Sequence, residues 1–149
     1  MAGVRRHEFT GPMALSAMQE PAVRVFPASG YRHAGDLAWS SCLALDRADE
    51  HPTAIWTHKG RTAAWGWLEL PDGIMLQVDP GHPDLAGQVL DWTEELAPGA
   101  LSVDIADTEP HLAVALERRG YRQRADAPFM SLMGRPLTGP PDLPSLPDG

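Results

Sequence analysis

The sequence predicts one mixed α/β domain of the α+β kind, a mostly antiparallel central sheet flanked by helices. Three observations carry this expectation. Residues 53–58, 62–70 and 74–79 are apolar strand-like runs joined by the tight turns Lys59-Gly60-Arg61 and Pro71-Asp72-Gly73, which predicts an antiparallel meander. Beyond it the period changes: Leu85, Val89, Trp92 and Leu96 fall on one helical stripe, and Leu112, Ala115 and Leu116 on another. Between those helices, Leu101, Val103 and Ile105 alternate as a central strand does.

Taken in order, residues 4–9 form a short edge strand closed by Gly11-Pro12. Leu15, Met18, Ala22, Val25 and Phe26 then recur at helical spacing, but Pro21 removes one hydrogen bond and crowds the preceding turn at about 3 kcal/mol. A kinked helix or two pieces is expected there. Asp36 is the predicted N-cap of a second helix carrying Leu37, Trp39, Cys42, Leu43 and Leu45, with Trp39 and Cys42 placed in the core. In the middle strand of the meander, Ala63, Trp65, Trp67 and Glu69 share a bulky face, and Ala64, Gly66, Leu68 and Leu70 share a lean one. Trp65 and Trp67 suit a core and an apolar ligand cleft equally, whereas Trp92 belongs to a core stripe. Pro98-Gly99 ends the helix that begins near Leu85. The next helix starts near Glu109 and stops at Gly120, with Arg118 and Arg119 at its negative end and Tyr121 closing a left-handed cap. A last strand is predicted at 129–133.

The 149 residues suit one core and not two. Five of the 15 prolines, Pro136, Pro140, Pro141, Pro144 and Pro147, crowd the end, so the domain is expected over 1–134 and a Pro-rich tail or interdomain linker over 135–149. With 43% hydrophobic and 21% charged residues the chain reads as globular, and no run approaches the roughly 18 apolar residues of a membrane helix. The first 12 residues hold Arg5, Arg6, His7 and Glu8 without an apolar run, so no signal peptide is read and a cytoplasmic location is expected.

A formal charge of -8 argues against a nucleic-acid partner. Between Thr62 and Glu117 there is no Lys or Arg, yet eleven acidic residues lie there, so a phosphate bound in that stretch would depend on backbone amides. Cys42 is the sole cysteine. The six histidines, His7, His33, His51, His58, His82 and His111, lack the four-residue helical spacing of a zinc pair and read as solvated loop residues, so no metal is expected. Ser40, Ser41 and Ser131 lie outside a nucleophile elbow, which disfavours a serine enzyme.

The order strand, two helices, three-strand meander, helix, strand, helix, strand resembles the GNAT superfamily of acyl-CoA-dependent N-acetyltransferases. Two stretches carry the likeness. Ile74-Met75-Leu76-Gln77-Val78-Asp79-Pro80, leading into the Leu85 helix, is similar to that family's central strand and pyrophosphate loop. Leu112 to Tyr121, ending Arg119-Gly120-Tyr121, is similar to its late helix. Gly35-Asp36-Leu37-Ala38-Trp39 also resembles a segment from the N-terminal half of actinobacterial tandem-GNAT proteins. The resemblance implies an N-acetyltransferase fold, acetyl-CoA as cofactor, Leu76, Val78, Gly87 and Gln88 as its binding residues, and Glu69 as candidate base. It implies as partners a small amine substrate and a second GNAT domain, in cis or as a homodimer.

The sequence also departs from that pattern. The loop reads Gly81-His82-Pro83-Asp84-Leu85-Ala86-Gly87-Gln88, where Pro83 has no N–H and Asp84 places a negative charge near the expected phosphate. Two like charges 4 Å apart repel by about 1 kcal/mol in water and about 4 kcal/mol at an effective dielectric near 20. Counting back from Gly120, Leu116 stands where many members have a proton-donating Tyr, and Glu109 where they have an Asn. Two outcomes are therefore expected of the resemblance: a degenerate, weakly active or noncatalytic domain that supports a second one, or a working transferase in which the amine attacks directly and positioning supplies the rate.

Overall fold

The computed structural model describes residues 3–10, 14–26, 28–30, 32–97 and 99–126. Its elements are β1 (Arg5–Thr10), α1 (Leu15–Val25), α2 (Ala34–Leu43), a 3-10 segment (Leu45–Glu50), β2 (Pro52–His58), β3 (Arg61–Glu69), β4 (Gly73–Val78), α3 (Leu85–Leu96), β5 (Ser102–Val103) and α4 (Pro110–Arg118). The sheet order is β1-β2-β3-β4-β5, antiparallel through β4 and parallel between β4 and β5. This is the expected mixed α/β class with a mostly antiparallel sheet. The strand expected at 129–133 and the tail at 135–149 lie outside the described residues.

Period-two alternation splits the core between the two faces of the sheet. One face packs Ile55, Trp65, Trp67 and Met75 against Met18 and Ala22 of α1 and Leu37 of α2. The other packs Trp56, Leu68, Leu76 and Val78 against Leu85, Val89 and Trp92 of α3 and Leu112 and Leu116 of α4. The lean face of β3 has a direct cause. A Cβ on Gly66 would meet Trp92 Cζ3 and Val89 Cγ1, each at 3.0 Å, so α3 sits where only glycine leaves room.

Several expectations are corrected by packing. α1 is one helix running through Pro21 and not two pieces; Pro21 is buried beside Met18, Ala22 and Val25, so burial of that face offsets the lost bond. α2 begins two residues before Asp36. His33 is its N-cap: its Nδ1 accepts from Gly35 N at 3.0 Å, while Asp36 accepts from His33 N at 2.9 Å as the return half of a capping box. The buried stripe of α2 is Leu37 and Ser41, extended by Ala44. Trp39 and Cys42 fall on the far side of the turn, and Trp39 is 68% exposed, so neither is a core residue. Leu96 is likewise exposed, at the last turn of α3. β5 is only two residues long, shorter than the Leu101 to Ile105 pattern suggests. The cap of α4 is as expected: Gly120 has φ +85°, its N–H donates to Glu117 O at 3.0 Å, and Tyr121 N donates to Leu116 O at 3.1 Å.

Candidate functional site

β4 pairs with β3 throughout, but its ladder to β5 consists of Gly73 opposite Ser102 and Ile74 opposite Val103. From Met75 to Val78 the two parallel strands part. The hydrogen-bond alternation shows which groups line the gap. Asp79 N donates to Ala63 O at 2.8 Å, so residues 75, 77 and 79 bond toward β3. Ser102 N donates to Asp72 O at 2.7 Å, so the alternate residues, including Leu76 and Val78, turn their backbone groups toward β5 and α4. Leu76 and Val78, expected from the resemblance to bind the cofactor, thus share one open edge.

α4 supplies what lies beside that edge. His111 Nε2 donates to Val78 O at 3.0 Å. Two residues earlier Glu109, the N-cap of α4, is 3% exposed and accepts from Ala106 N through Oε2 at 2.9 Å. Burial pushes its carboxyl pKa above the ordinary value, against the lowering influence of the Ala106 N–H, His111 and Arg32. On the other face, Trp65 Nε1 donates to Gln77 Oε1 at 3.3 Å. Gly30, at φ +81°, closes over both groups: a Cβ there would lie 2.9 Å from Gln77 Nε2 and 3.2 Å from Glu109 Oε1. Glu109 and Gln77 thereby join the start of α4, the end of β4 and the α1–α2 connection.

The loop after β4 is braced from within. Asp79 accepts from Gly81 N through Oδ1 at 2.8 Å and from Arg24 Nη1 through Oδ2 at 2.9 Å, while Arg24 Nη2 donates to Thr62 O at 2.6 Å. His82 N donates to Asp79 O at 2.8 Å, Leu85 N to His82 O at 3.0 Å and Ala86 N to Pro83 O at 3.2 Å. His82 also stacks on His58, ring centroids 4.7 Å apart. Gly87 lies on the α4 side of α3, where its carbonyl accepts from Arg119 Nη2 at 2.9 Å; Arg119 also pairs with Asp91 and Glu94 and so clips α3 to α4. Gln88 lines a groove of about 360 Å³ together with Val4, Arg6, Trp56, Asp91 and Glu95.

Glu69 is exposed at the end of β3 and opposite Gly73, at the closed end of the parallel pair. Val78 is five residues further along β4, about 17 Å at strand rise, so Glu69 stands by the start of the open stretch and far from its Val78 end. Leu116 is 6% exposed in the α3/α4 core. His111, expected to be a solvated loop residue, is instead partly buried on α4. Sequence reasoning missed Gln77 and Glu109 as a pair. The available signal was Gln77 itself, a polar residue inside a strand whose neighbours are all apolar. Among the described residues, no cluster of His, Cys, Asp and Glu is suited to a metal, and no helix is long and apolar enough to cross a membrane.

No protein-family model matches the sequence, and no curated protein matches it. Solved structures do match. A Trypanosoma brucei acetyltransferase superposes with a TM-score of 0.54 over 87% of this chain and 100% of its own, at 15% identity. An aminoglycoside N-acetyltransferase solved with CoA gives 0.54 over 89% and 96%, at 11% identity. A GCN5-related N-acetyltransferase from Rhodopseudomonas palustris gives 0.50 over 83% and 84%, at 27% identity. The chain has a GNAT fold.

Against that fold, the residues meet a CoA-type ligand unevenly. The open edge at Leu76 and Val78 suits an extended chain bearing amides, because a strand edge offers alternating donors and acceptors. The loop offers a diphosphate fewer groups. Gly81, His82, Leu85 and Ala86 have committed their N–H groups to the loop itself, Pro83 has none, and exposed Asp84 adds negative charge at the start of α3.

Proposed function

We propose that this chain is an N-acetyltransferase-like domain of GNAT fold with a degenerate hold on acetyl-CoA, weakly active or noncatalytic, whose main role is to support a second GNAT domain. The observation that carries this reading is the loop between β4 and α3. Four of its amides are bonded internally, and while Asp79 is paired with Arg24, Asp84 stands exposed at the start of α3. A helix N-terminus holds a phosphate through free N–H groups and its dipole, and here Leu85 and Ala86 already spend theirs on the loop while the Asp84 charge opposes the anion.

Acetyl-CoA remains the ligand class the fold favours, since an aminoglycoside N-acetyltransferase with this fold is solved with CoA. Leu76 and Val78 are the residues to hold its amide-bearing arm. Gly87, whose carbonyl but not its N–H is taken by Arg119, and Gln88, which lines the groove beside Trp56, are the remaining candidates for the phosphate end. Leu116 cannot donate a proton, so transfer would rest on positioning alone. Support for a companion domain, in the same chain or as a second copy, comes from apolar side chains more than half exposed: Val23 of α1, Trp39 and Leu43 of α2, and Leu45 at the start of the 3-10 segment.

Calorimetric titration of the isolated chain with acetyl-CoA tests the reading. Weak binding, with a dissociation constant of about 1 mM or above, is expected, tightened by Asp84→Gly. Micromolar binding by the unaltered chain would overturn it.

A further inference from the structure

The edge of β4 that faces the gap is already met by a side chain of the same molecule. Val78 belongs to the alternate set whose backbone groups point toward α4, and its carbonyl takes the His111 Nε2–H at 3.0 Å. Backbone acceptors at a buried strand edge must find a donor, and where β5 has diverged no ladder supplies one. His111 is held there by its place on α4, one residue past Pro110 and two past Glu109, whose carboxylate is fixed by Ala106 N and packed under Gly30. α4 itself is clipped to α3 by Arg119.

We propose that His111 gates this edge: by occupying the Val78 carbonyl it stands in for an extended, amide-bearing ligand and competes with it. The inference rests on the reading of the chain as an acetyl-CoA-binding fold with a weak hold, and adds that the hold is weakened twice, at the loop and at the edge. The two contributions act on different parts of the ligand. Asp84 opposes the diphosphate, whereas His111 opposes the pantetheine arm, which carries the amides and no phosphate. An amide N–H of that arm is the chemical equivalent of the imidazole N–H, and entry requires His111 to swing away and its hydrogen bond to be exchanged for the ligand's.

The test is a set of calorimetric titrations with two probes, acetyl-CoA and S-acetylpantetheine, on the unaltered chain and on His111→Ala, His111→Leu and Asp84→Gly. Removing the donor is expected to tighten both probes by about tenfold. Asp84→Gly should tighten acetyl-CoA and leave S-acetylpantetheine unchanged. His111→Leu keeps most of the side-chain volume and covers the case in which the alanine variant fails to fold. His111→Gln retains an N–H donor and is expected to bind as the unaltered chain does.

If His111→Ala and His111→Leu, folded as judged by their melting curves, bind S-acetylpantetheine no more tightly than the unaltered chain, the gate does not exist. The gate is equally overturned if none of the three binds that probe. The absolute affinity of the unaltered chain for acetyl-CoA judges the weak-hold reading, and the ratio between His111 variants and the unaltered chain judges the gate, so either can fail without the other.

Discussion

Arg24 of α1 and Asp79 at the end of β4 form a 2.9 Å ion pair, both side chains about three-quarters buried, and through it a helix on one face of the sheet fixes the loop that leads to the other. Arg24 also donates to Thr62 O, so its guanidinium is shared between β3 and the loop. In a stretch from Thr62 to Glu117 that has no cation of its own, the charge balance is supplied from outside, by Arg24 at one end and Arg119 at the other. Arg24→Ala is expected to destabilise the fold by about 1–3 kcal/mol, because it leaves a partly buried Asp79 without its partner. A double-mutant cycle with Asp79→Asn, read by urea unfolding, should show positive coupling; strict additivity would contradict the pairing.

Gly66→Ala tests the packing of α3 on the lean face of β3. Its Cβ would stand 3.0 Å from both Trp92 and Val89, so overpacking of about 1–3 kcal/mol is expected, seen as a lower urea midpoint with an unchanged slope. No change would mean that α3 can shift away at little cost.

Buried Glu109 makes stability depend on pH in a definite direction. Its carboxyl pKa is raised in the folded state by burial, so the folded chain holds that proton more tightly than the unfolded one. This contribution is fully present below the ordinary value of 4.5, and is lost as pH rises through the raised folded value. Glu109→Gln keeps an acceptor for Ala106 N without the charge. Melting curves from pH 4 to 8 should show the variant gaining on the unaltered chain as pH increases, and a constant difference between the two would contradict the assignment.

Trp39→Glu addresses the exposed side of α2. Since Trp39 is 68% exposed, its replacement should alter stability by no more than about 0.5 kcal/mol. If that side meets a second domain or a second copy, association measured by sedimentation should weaken while the melting temperature holds. A large loss of stability would instead place Trp39 in the fold's own core.

The strands of the meander were legible because alternation and turn chemistry agree there. Lys59 and Gly60, with φ of 50° and 79°, form the kind of turn that a two-residue hairpin demands. The cap at Gly120 was legible for the same local reason. What could not be read is which side of an evenly apolar helix turns inward. α2 carries Leu37, Trp39, Cys42 and Leu43 around much of its circumference, and only packing against Ile55 and Trp67 selects Leu37. The candidate site was half legible. The spacing that placed Leu76 and Val78 beside a loop is local, whereas the link from Val78 to His111 spans 33 residues and the closure of Gly30 over Gln77 and Glu109 depends on three separate elements. Glu69 illustrates the reverse case: its face follows from alternation alone, but the end of the sheet that opens is set by where β5 stops.

Whether a GNAT fold has here lost its grip on a diphosphate is decided by titrating the unaltered chain with acetyl-CoA in a calorimeter. A loop with four of its amides engaged and Asp84 beside it predicts a dissociation constant of about 1 mM or weaker, and clear tightening on Asp84→Gly. Binding of the unaltered chain in the micromolar range, unaffected by Asp84→Gly, would contradict it.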